Sequence, residues 1–94
     1  MPAPTDRRLT LVLSGDELAL LKRLDFPCSE KVLASASPGE EGIELTGSWL
    51  DFNTLAGWVA GEANDARRHR RTRQARLLDS ISEQLEDMLS LHRR

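Results

Sequence analysis

The chain has 94 residues, 39% hydrophobic and 30% charged, with 13 Lys and Arg against 15 Asp and Glu for a formal net charge of −2. That length holds one small domain and excludes a multi-domain enzyme, while 23 Leu, Ile, Val and Phe residues, about a quarter of the chain, argue for a folded core rather than disorder. The single cysteine, Cys28, excludes an internal disulfide and a stapled secreted scaffold, which points to a cytosolic protein.

Residues 1–8 are prolines, small residues and charges, and read as a loose arm ahead of one domain over 9–94. They lack the apolar stretch of a signal peptide, and no run of about 18 apolar residues occurs further on, so no membrane association is expected. Leu9-Thr10-Leu11-Val12-Leu13 alternates as a strand with its three leucines on one face. Ser14 followed by Glu17 has the spacing of a capping box, and Leu18, Leu21 and Leu24 then form the stripe of a helix that stops before Phe26-Pro27.

Cys28–Ala34 is long enough for one short helix, and the turn-rich Ser35–Gly42 reads as a loop. Gly42–Gly47 alternates again, with Ile43 and Leu45 on one face, as a second strand. A helix follows, capped by Ser48 or Asp51, with Leu50, Leu55, Trp58 and Val59 as its apolar face. A single helix from Asp51 to Leu91 would make a rod of roughly 60 Å, so a break is expected in Asn64–Arg71, with Thr72 capping a last helix over about 72–91. Leu77, Leu78, Ile81, Leu85, Met88 and Leu89 give that helix a sustained amphipathic stripe. The expected fold is α+β: two short strands paired in a β-ribbon, each followed by a helix, plus a long amphipathic C-terminal helix.

Six of the ten residues from Arg67 to Arg76 are arginine, and no acid interrupts them. Guanidinium forks match phosphate oxygens and clustered cations displace nucleic-acid counterions, so Arg67, Arg68, Arg70, Arg71, Arg73 and Arg76 are candidate phosphate or nucleic-acid contacts. The competing reading is a solvated face paired with Asp65, Asp79 or Glu83, and the net charge of −2 weighs on that side.

Glu62, Asp65 and His69 share one helix face in the manner of bundle metal ligands, but the neighbouring arginines disfavour a dication, so neither a metal nor another cofactor is expected. Cys28, behind Pro27 at a helix start, is the one candidate nucleophilic thiol, against the alternative of a small buried hydrophobe. No Gly-x-Ser-x-Gly, Walker, GxGxxG or HExxH pattern occurs, so no enzymatic activity is expected.

Gly57 and Gly61, with Ala56 and Ala63 around them, put small residues on one helix face, for close packing either within the chain or against a second subunit. Trp58 and the terminal stripe of Leu78, Ile81, Leu85, Met88 and Leu89 are the candidate interface between copies. The stretch Leu55–Leu89 resembles segments of small bacterial proteins that carry no assigned activity, and it implies no functional residue. The leading expectation is thus a non-enzymatic, self-associating module, a homodimer acting on a protein partner; the alternative is a small nucleic-acid-binding regulator using the Arg67–Arg76 segment.

Overall fold

Leucine alternation at Leu9, Leu11 and Leu13 produces β1 (Leu9–Leu13), whose three leucines are buried while Thr10 faces out. A computed structural model describes residues 8–27 and 29–92. Of the expected loose arm only Arg8 falls within that range, and the thiol reading of Cys28 lies outside it. Ser14 then caps α1 (Gly15–Leu24) through the expected capping box. Its hydroxyl accepts from the Glu17 N–H at 3.2 Å, and the Glu17 carboxylate accepts from the Ser14 N–H at 2.8 Å. Asp25 ends the helix in the left-handed region (φ 50°), with its N–H on the Leu21 carbonyl, two residues before Pro27.

The short helix α2 (Glu30–Ala34) begins two residues later than Cys28. The segment expected as a loop contains a third strand, β2 (Ser37–Pro38), which pairs with β3 (Ile43–Gly47). Two residues ending in a proline give no alternation to read, which is why the pattern missed it. The sheet is therefore three-stranded and antiparallel, in the order β1-β3-β2, rather than a two-stranded ribbon. As expected, β1 and β3 are neighbours, Leu9 opposite Gly47 and Leu13 opposite Ile43. The Ser35 hydroxyl ties α2 to this sheet by donating to the Val32 carbonyl and accepting from the Thr46 N–H at 2.9 Å.

Ser48, not Asp51, is the cap of α3 (Trp49–Arg68), with Asp51 as the acid of a second capping box. The chain turns at residues 69–71 and runs back as α4 (Thr72–Leu91), so the break falls inside the expected interval. Thr72 is the first helical residue rather than the cap; Arg71 occupies the cap position and supplies no side-chain hydrogen bond.

The two long helices pack along their length. Ala63, Ala66 and Ala75 are buried toward the turn, and Phe52, Leu85, Met88 and Leu89 are buried toward the far end. There the Trp49 indole N–H donates to the Leu89 carbonyl at 3.2 Å. α4 also packs against β1 and α1, so its stripe closes the core over the sheet leucines. Buried Glu17 belongs to this closure, accepting from the Gln84 amide at 3.3 Å as well as from Ser14. Among the described residues no helix is long and apolar enough to cross a membrane.

Candidate nucleic-acid interface

The turn between α3 and α4 is built by the backbone. The Arg71 N–H reaches the Ala66 carbonyl at 2.8 Å and the Arg70 N–H reaches the Arg67 carbonyl at 3.2 Å, the paired bonds of a Schellman motif. That motif needs its central residue in the left-handed region, where glycine is the favoured occupant. Here the residue is Arg70, at φ 57°. Left-handed backbone costs a residue with a β-carbon roughly 1–2 kcal/mol, so the turn retains an arginine at a position where glycine would be more stable.

The six arginines divide. Arg67 is engaged inside the protein, donating to Asp79 and to the Asn64 side chain, each at 2.6 Å. Arg68 projects from α3 itself, on the solvent side of the helix. Arg73 approaches Asp16 only at 3.5 Å between two strongly exposed side chains, a contact worth little in water. Arg70, Arg71 and Arg76 are exposed, and among the described residues their side chains have no ion-pair or hydrogen-bond partner. Arg73 and Arg76, three residues apart, both lie on the outer surface of α4.

The helix dipoles treat these cations differently. Arg67 and Arg68 sit in the last turn of α3, where a positive charge is favoured. Arg71 and Arg73 sit at the first turn of α4, which has no acidic residue and no side-chain cap, so they add charge to an end that is already partly positive. An anion at this end satisfies both the backbone N–H groups and the guanidinium groups.

Beside the turn, α1 and the start of α4 enclose an open cleft of about 620 Å³. Ala19, Leu20 and Leu77 line its apolar part, while Arg23, Arg71 and Arg73 line its polar part together with Asp16. Arg23 reaches it from α1 and donates to the Gln74 side chain at 3.3 Å. Sequence reasoning did not find Arg23, because a lone cation in the last turn of a helix has the pattern of an ordinary dipole-complementing residue.

The other sequence candidates fall elsewhere. Leu78, Ile81 and Leu85 are wholly buried and Met88 and Leu89 nearly so, covered by this chain's own α3, α1 and β1. That burial corrects their assignment to a seam between copies, since a side chain enclosed by its own core presents no surface to another chain. Trp58 alone of the six is exposed, at 44%, with one face stacked on buried Phe26 at a centroid distance of 6.2 Å. Asp65 and His69 form a local i,i+4 contact at 3.4 Å, and among the described residues no group of three or more metal-ligating side chains gathers. No family model, no curated protein and no solved structure matches this chain.

Proposed function

We propose that this chain is a non-enzymatic module that binds the phosphate backbone of nucleic acid through the arginine turn between α3 and α4. The observation that supports it is Arg70, kept in a left-handed turn position alongside Arg71 and Arg76, none of which has a carboxylate partner among the described residues, and Arg73, whose one contact, with Asp16 at 3.5 Å, is strongly exposed. A purely solvated face has no need of a cation at a turn residue where glycine is more stable.

The shape favours phosphates over bases. Two packed helices present an end roughly 20 Å across, too wide for a major groove of about 12 Å, so the turn meets backbone oxygens and binding is independent of sequence. The excess of acid in the rest of the chain limits binding to this end of a molecule 49 Å long.

Fluorescence anisotropy of labelled duplex DNA and of structured RNA, titrated from about 50 to 300 mM salt, tests the reading. Four engaged arginines release counterions with a log–log slope near −3.6 on duplex DNA. Arg71→Glu combined with Arg76→Glu abolishes binding while leaving the circular dichroism spectrum unchanged. Absence of binding at 50 mM salt refutes the proposal.

A further inference from the structure

α3 carries two stripes. Phe52, Leu55, Val59, Ala63 and Ala66 enter the core, whereas Leu50, Thr54, Gly57, Trp58 and Gly61, at i, i+4, i+7, i+8 and i+11, form a second helical stripe on the outer side, where only Trp58 is partly covered, by Phe26. It contains two of the largest apolar exposures among the described residues, Leu50 at 67% and Trp58 at 44%. At its centre a β-carbon built on Gly57 or Gly61 meets nothing within 4 Å. Glycine is the poorest helix former after proline, and among the described residues none comes within 4 Å of a β-carbon built on these two, a space that fits the close approach of another backbone.

We infer that this outer stripe of α3 docks on the same stripe of a second copy of the chain, antiparallel about a two-fold axis near Val59. Charge selects that occupant and that direction. The first turn of α3 carries Asp51 and the last turn carries Arg68, which is free of Arg67's bonds to Asp79 and Asn64. Antiparallel pairing about the helix midpoint sets Gly57 of one copy against Gly61 of the other. It also brings the Arg68 stem over Leu50 and its guanidinium to Asp51, twice over by symmetry. Parallel pairing instead superposes Arg68 on Arg68.

The stripe spans one helix of about 30 Å, a contact below the size of a standard stable interface, so the dimer is weak. This docking uses neither the turn arginines nor the cleft, and stands apart from nucleic-acid binding.

Sedimentation velocity from about 5 μM to 1 mM reads the equilibrium directly. The wild-type chain shifts from monomer to dimer across that range. Gly57→Leu with Gly61→Leu enters open space in the monomer, so the variant stays folded and stays monomeric throughout, a loss of at least tenfold in association. Arg68→Glu weakens association about tenfold, and raising salt weakens the wild type in the same direction. A wild-type chain that remains monomeric at 1 mM, or a dimer indifferent to the two leucines, overturns the inference; a dimer indifferent to Arg68→Glu overturns the antiparallel pairing.

Discussion

Replacing Gly57 and Gly61 together by alanine stabilises the folded monomer. Each lies in the interior of a 20-residue helix, neither has a positive φ, and an added β-carbon at either contacts nothing within 4 Å. The full propensity difference between glycine and alanine, about 1 kcal/mol per site, is then realised with no steric charge against it. The double variant gains about 2 kcal/mol, which in a domain of this size raises the melting temperature by about 8–16 °C. Urea unfolding followed by circular dichroism at about 2 μM protein keeps the measurement on the monomer and yields the midpoint and the slope together. Two other glycines calibrate it. A β-carbon on Gly42 meets the Leu13 carbonyl oxygen at 2.7 Å, and one on Gly47 meets Val32 Cγ2 at 3.2 Å, so Gly42→Ala loses stability and Gly47→Ala gains none. A loss of stability at Gly57 or Gly61 would refute the reasoning, because it would mean that the outer side of α3 is already covered within one chain.

Leu85→Ala removes a wholly buried side chain between the long helices and costs about 3 kcal/mol in urea unfolding, a large share of a small domain's stability. Ser48→Ala deletes the hydroxyl that accepts from the Asp51 N–H and costs about 1 kcal/mol, seen as a lower melting temperature with the fold retained. Arg70→Gly separates the two demands on the turn: it raises stability by about 1 kcal/mol in the same assay, and it reduces the magnitude of the salt slope for duplex DNA by about 0.9. A variant that gains stability with an unchanged slope removes Arg70 from the phosphate contacts.

Elements whose side chains follow a strict period are legible in the sequence. The leucine alternation of β1, the Ser14–Glu17 box and the stripe of α4 each combine a local signal with a tertiary one, so sequence and structure agree on them. β2 was not legible, because Ser37 and Pro38 become a strand only by pairing with Glu44 and Ile43 some distance away. The role of the α4 stripe was misread for a related reason. Periodicity reports that one side of a helix is covered, not by what, and here β1, α1 and α3 provide the cover. The arginine segment was visible as charge, but the division between Arg67, bound to Asp79, and Arg70, held in a left-handed turn, depends on a backbone path that composition does not encode. Leu50 shows the opposite failure: an apolar residue in an apolar helix reads as core, yet it sits on the outer side.

The sheet order has a consequence for the chain as it is made. β1 is synthesised before its partner β3, which lies roughly 30 residues further on, and before α4, which covers its leucines. Until residues 43–47 emerge, Leu9–Leu13 is an unpaired, β-prone apolar segment of the kind that self-associates in nascent chains. In the sequence, Asp6, Arg7 and Arg8 stand directly before it, charges of the type that flank such segments in natural chains. At the far edge of the finished sheet, Pro38 has no N–H to offer a further strand, so the two-residue β2 terminates the ladder instead of extending it.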